Sequence, residues 1–131
     1  MISLDTNVLV RLFVDDGSHQ QIKIARKTAL AAKQVFIAQI VQVELVWVLS
    51  GAYHFGKPQI LQTLFELHEN AAFVLQSAHQ FFQAVKQFEI SNADFSDCLV
   101  LMESKQSANV PVYTFDKRFA KLADVQLLGV V

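Results

Sequence analysis

Five acidic residues stand where a carboxylate is either costly or useful: Asp5, Glu44, Asp94, Asp97 and Asp116. Two carboxylates about 5 Å apart repel by roughly 3 kcal/mol at an effective dielectric near 20. Acids gathered at one point must therefore take up protons or bind a cation. An all-oxygen donor set favours Mg²⁺, with Mn²⁺ possible, over zinc. A cation held in this way supports attack of activated water on a phosphodiester and stabilises charge on the phosphate.

Each acid also has a plainer reading. Asp5 follows a short apolar run and opens a helix, where Asp caps well. Asp116 follows Val-Tyr-Thr-Phe and precedes Lys-Arg-Phe, so it could cap the turn after it. Glu44 is harder to explain this way. Its helical neighbours Ile40, Val41, Trp47 and Val48 are all apolar, and a carboxylate on such a surface loses hydration unless something compensates it. Asp94 and Asp97 are three residues apart, about 60° around a helix. They could serve as an acidic first turn favoured by the helix dipole. The helical wheel alone does not rank one of the pair above the other.

The elements that must place these acids alternate between short β-rich runs and longer helical patterns. Strands are expected at Ile2–Leu4, Val35–Ile37, Ala72–Leu75, Val110–Phe115 and Val125–Leu128. Helices are expected from Val8 to Phe13, over 19–33, from Val41 to Tyr53, from Pro58 onward, around Phe81–Phe88, and from Asp94 to Ser107, with a helical turn at Phe119–Leu122. Helices of this length between strands predict an α/β fold, a parallel sheet covered on both faces. Ligands in such sheets bind beyond the carboxyl ends of the strands. Asp5 and Asp116 both stand where a strand stops, and helices bearing Glu44 and Asp94/Asp97 can pack beside them.

Composition narrows the alternatives. The 131 residues suffice for a single domain, and 53% of them are hydrophobic against 18% charged, which excludes disorder. Eleven Phe in so small a chain point to self-association or a bound partner. With 11 Lys+Arg against 12 Asp+Glu, the net charge of −1 makes any nucleic-acid contact a local patch or a metal-borne one. The single cysteine, Cys98, excludes an internal disulfide and suits a reducing cytoplasm. The N-terminus lacks the pattern of a signal peptide. The longest apolar stretch, Val35–Ala52, carries Gln39, Gln42 and Glu44; that argues for soluble structure rather than a membrane span.

Four segments together resemble the motifs of a PIN domain: Leu-Asp-Thr-Asn-Val-Leu-Val-Arg-Leu at 4–12, Val-Glu-Leu-Val-Trp-Val-Leu at 43–49, Ala-Asp-Phe-Ser-Asp-Cys-Leu-Val at 93–100 and Val-Tyr-Thr-Phe-Asp-Lys-Arg-Phe at 112–119. Within that family they look most like a VapC-type toxin of a bacterial type II toxin–antitoxin pair. The resemblance runs from residue 1 to about 128 in the right order. It implies one PIN domain over residues 1–131, with a three-layer fold of four or five mostly parallel strands flanked by helices. It also implies a Mg²⁺-dependent endoribonuclease, held inactive by a cognate VapB-like antitoxin and commonly homodimeric. The catalytic and metal-holding acids it implies are Asp5, Glu44, Asp97 and Asp116, with Asp94 as an accessory ligand through water. Thr6 and Thr114 match hydroxyl residues that orient the carboxylates. Cys98 stands where Ala is usual, and Ser50 where close relatives often carry Arg.

Candidate phosphate contacts are Lys117 and Arg118, with Arg11 and Lys121 also near strand ends. Tyr53 and Phe55 are candidates for stacking on a splayed base. His19, His54, His68 and His79 have no metal-ligand spacing and are expected at the surface. The helices at 19–33 and 58–69 carry apolar stripes that could receive an antitoxin helix, complete the core, or form a homodimer contact. A phospho-accepting receiver domain is disfavoured, because Asp5 is followed by Thr-Asn and no Lys follows Leu128. The remaining rival is a catalytically weak PIN fold acting as a protein- or RNA-binding module.

Overall fold

The computed structural model describes residues 1–129. The chain forms two compact units, Met1–Ala78 and His79–Val131.

In the first unit, β1 (Ile2–Ser3), β2 (Val35–Ile37) and β3 (Phe73–Leu75) form a three-stranded parallel sheet in the order β1-β2-β3. Ile2 is in register with Val35, and Val35 in turn with Phe73. Parallel neighbours need long crossovers. These are α1 (Thr6–Phe13) with α2 (His19–Ala32), and α3 (Gln39–Gly51) with α4 (Lys57–Glu69). Leu9 and Val10 of α1, Leu45 and Leu49 of α3, and Leu64 and Leu67 of α4 are buried with Val35 and Ile37. Pro58 stands in the first turn of α4, where its missing N–H costs nothing. The apolar stripe of α4 is thus core. Of α2 and α4, it is α2 that leaves large apolar residues exposed, Ile24 and Leu30.

The join between β2 and α3 is held from β3's far end. Ala38 offers no side-chain cap to α3, and the Gln76 side chain accepts from the Gln39 N–H instead, at 2.8 Å. Gln42 is fully buried one turn into α3. Its Nε2 donates to the carbonyls of Ile37 (3.2 Å) and Gln76 (2.9 Å), while its Oε1 has no hydrogen-bond partner among the described residues.

In the second unit, α5 (Ala78–Ile90) and α6 (Phe95–Gln106) precede β4 (Val112–Thr114), a short 3₁₀ turn (Phe119–Lys121) and β5 (Val125–Leu127). The strands β4 and β5 pair in parallel, Val112 opposite Val125 and Thr114 opposite Leu127. Three buried rings join the two helices. Phe95 meets Phe81 edge-on at 5.7 Å and Phe88 at 6.1 Å between centroids, a favourable geometry for aromatic quadrupoles.

The α/β class and the parallel strand direction agree with expectation. The five strands pair as one three-stranded and one two-stranded set, where a single sheet of four or five was expected. The fourth strand is shorter than the apolar run Val110–Phe115 suggested: it spans Val112–Thr114 and leaves Val110, Pro111 and Phe115 outside it.

Candidate functional site

In the first unit the chain turns from β1 into α1 at Asp5. The exposed carboxylate caps the helix through Oδ1, which accepts from the Val8 N–H at 3.0 Å. Capping uses one carboxylate oxygen, so the plain reading of Asp5 and a ligand role do not exclude each other. One residue on, the half-buried Thr6 hydroxyl donates to Glu44 Oε1 at 2.9 Å, linking the start of α1 to the middle of α3.

Glu44 sits on less apolar ground than its neighbours' types suggested. Val41 and Leu45 are buried, but Ile40 and Trp47, one turn to either side, are 61% and 58% exposed. The carboxylate therefore lies at the edge of the buried face of α3, within reach of both water and Thr6. A polar group at such an edge is compensated without a buried cation.

In the second unit Asp94 is exposed and ends the chain's approach to α6, without a side-chain cap hydrogen bond. Asp97 is half-buried in the first turn of α6. Its carboxyl is pushed above the ordinary value of 3.8, first by burial and then by the negative charges of Asp94 and Asp116. Burial thereby distinguishes the pair that the helical wheel left level, with Asp97 half-buried and Asp94 exposed.

Asp116 follows β4 and folds the chain into the 3₁₀ turn. Its Oδ1 accepts from the N–H groups of Arg118 (2.8 Å) and Phe119 (3.2 Å), and its own N–H donates to Thr114 Oγ1 at 3.0 Å. The two hydroxyl residues thus act differently. Thr6 binds a carboxylate directly, whereas Thr114 holds the backbone that carries one.

Among the basic candidates, Lys117, Arg118 and Lys121 are exposed. Arg11 is engaged within its own unit. Its Nε donates to Gln21 Oε1 (3.0 Å), and one terminal nitrogen reaches Tyr53 Oη (3.1 Å) and Asp16 Oδ2 (3.3 Å). The Tyr53 hydroxyl donates to Asp16 in turn, at 3.0 Å. This network ties α1 to α2, to the loop after α1 and to the loop after α3, and leaves Tyr53 with a structural task. It escaped sequence reasoning because its members are 37 and 42 residues apart and follow no local pattern. All four histidines are exposed.

Among the described residues, no group of three or more His, Cys, Asp or Glu side chains is arranged to hold a metal ion. The donor chemistry nonetheless suits a hard divalent cation. The candidates offer oxygen only, and the like charge that raises Asp97 is what a cation relieves.

No curated protein matches the chain. The family model for the PIN domain matches residues 2–125, running through both compact units. The chain belongs to the PIN domain family, whose members are generally nucleases that act on nucleic acid and usually use divalent metal ions.

Proposed function

We propose that the protein is a Mg²⁺-dependent endoribonuclease, with Mn²⁺ able to substitute, and the toxin of a type II toxin–antitoxin module. Asp5, Glu44, Asp97 and Asp116 are its essential acids, with Asp94 in an accessory role. The observation that carries the reading is the PIN-domain match over residues 2–125, within which the half-buried Asp97 carboxyl is pushed up by burial and by the charges of Asp94 and Asp116. Perturbation of this kind concentrates at functional sites. The bound cation would supply an activated water and neutralise charge on the phosphodiester.

The chain's own residues do the rest. Thr6 fixes the rotamer of Glu44 through its hydrogen bond. The caps made by Asp5 and Asp116 hold their side chains to the backbone, so each carboxylate is aimed before substrate arrives. Lys117 and Arg118 are positioned by the Asp116 turn to meet phosphate oxygens. A cognate VapB-like antitoxin, a homodimeric state and a cytoplasmic location complete the proposal. No described helix is long and apolar enough to cross a membrane.

Asp5→Asn is the decisive variant. Asn caps helices as well as Asp does, so α1 is retained while the charge is lost. RNA cleavage in Mg²⁺ is expected to fall by on the order of a hundredfold or more, with an unchanged circular dichroism spectrum. Cleavage by the variant at the parent rate would retire the site assignment, whereas a parent that does not cleave in Mg²⁺ would favour the binding-module alternative.

A further inference from the structure

We infer that Tyr113 and Phe115, together with Lys117 and Arg118, form a stacking strip for single-stranded RNA beside Asp116. The inference rests on the nuclease reading for the class of its partner and deepens it by assigning substrate-binding residues.

Tyr113 is 59% and Phe115 78% exposed. They are the exposed aromatic residues among the described residues of the second unit, where Phe81, Phe88, Phe95 and Phe119 are buried. They alternate with Thr114 and Asp116, which are half-buried and bonded to each other. The chain at this point therefore turns its polar members inward and its rings outward, the reverse of what core packing demands.

The Phe115 ring is also backed. A Cβ at Gly129, where φ is +73°, would lie 3.0 Å from Phe115 Cε1. A side chain there would press the ring aside, and the positive φ favours glycine, so the Gly129 backbone lies against one side of the ring.

Charge identifies the occupant. Lys117, Arg118 and Lys121 follow within six residues of Phe115 and are exposed. Among the described residues none of them pairs with a carboxylate. The acid among them, Asp116, is turned into its own cap. Exposed rings followed along the chain by unpaired cations match a flexible polyanion with accessible base faces, which is single-stranded RNA. A duplex keeps its base faces hidden and fits poorly.

Binding is measured without divalent metal, so that no cleavage occurs. The probe is a fluorescein-labelled single-stranded oligoribonucleotide of mixed sequence, compared with its duplex. Phe115→Ala and Tyr113→Ala are each expected to weaken single-strand binding about tenfold, with little change for the duplex, and Phe115→Trp is expected to retain it. Both positions are exposed, so the fold should survive, which circular dichroism checks. Trp47 is the only tryptophan. In a Trp47→Phe background, the Phe115→Trp reporter should therefore show emission quenched by the single strand.

The inference is overturned if both alanine variants bind as tightly as the parent, or if the reporter is not quenched. It is also overturned if Phe115→Ala changes only the sedimentation of the protein, since the strip would then face a second copy of the chain. Cleavage in Mg²⁺ is scored separately. A parent that binds through the strip but never cleaves retires the nuclease reading alone. A parent that cleaves while the alanine variants bind normally retires the strip alone.

Discussion

Asp97 and Asp16 show how local surroundings set what a carboxylate does. Burial and like charge raise Asp97, so the folded state holds its proton to higher pH than the unfolded chain does. Between those two values stability falls as pH rises. Asp97→Asn should therefore raise the melting temperature of the metal-free protein at neutral pH, and the gain should vanish once the pH falls below the ordinary value of 3.8. Thermal melts across pH check this, and a variant that melts below the parent at neutral pH contradicts it. Asp16 is the opposite case. Hydrogen bonds from the Ser18 hydroxyl and backbone, then from Tyr53, with the Arg11 charge adding, bring it down to about 2. Its contribution is complete above the ordinary carboxylate value of 3.8 and is lost as pH falls through about 2. Asp16→Asn should lower stability at neutral pH and flatten the acid limb of the stability profile. An acid limb as steep as the parent's would show that the network around Arg11 does not hold this charge.

At the scale of elements, the junction of β2 with α3 depends on one buried amide. Gln42 Nε2 satisfies the carbonyls of Ile37 and Gln76, while Gln76 in turn supplies the missing cap of α3. Gln42→Leu leaves one of those carbonyls short of a donor and should cost about 1–3 kcal/mol in denaturant unfolding. Gln42→Glu should cost more, because it buries a carboxylate facing two carbonyl oxygens. The reverse order would mean that shape rather than hydrogen bonding fixes the junction. Most elements are legible in the sequence. The Pro58 start of α4, the Val35–Ile37 strand and the stripe of Phe81, Val85 and Phe88 on α5 all follow from period and punctuation. Gln42 is not legible as a core residue, since a polar type in an apolar helix reads equally well as an exposed edge. Phe115 is not legible as a surface residue, since an apolar run gives no sign of which face meets water.

For the whole molecule, the fold divides near Ala78, while the family match continues from residue 2 to residue 125. We propose that the two compact units are parts of one PIN domain. Scanning calorimetry should then show a single transition with equal calorimetric and van't Hoff enthalpies. Two resolved transitions would establish them as separate folding domains. The near-neutral balance of 11 basic and 12 acidic residues has a related consequence. Under the proposed function, RNA affinity would come from local features such as the Tyr113–Arg118 strip and a bound cation, because the chain as a whole offers no attracting field.

Residue types and their spacing were enough to determine the α/β class, the order of the elements, the family motifs and the acids that punctuate them. These follow from backbone preferences and hydrophobic period, which act over a few residues. Only the folded chain decided which carboxyl is crowded, which hydroxyl reaches Glu44, that Arg11 and Tyr53 hold each other, and which rings meet water. Those depend on burial and on through-space distance between groups far apart in sequence, and neither quantity is written in local order.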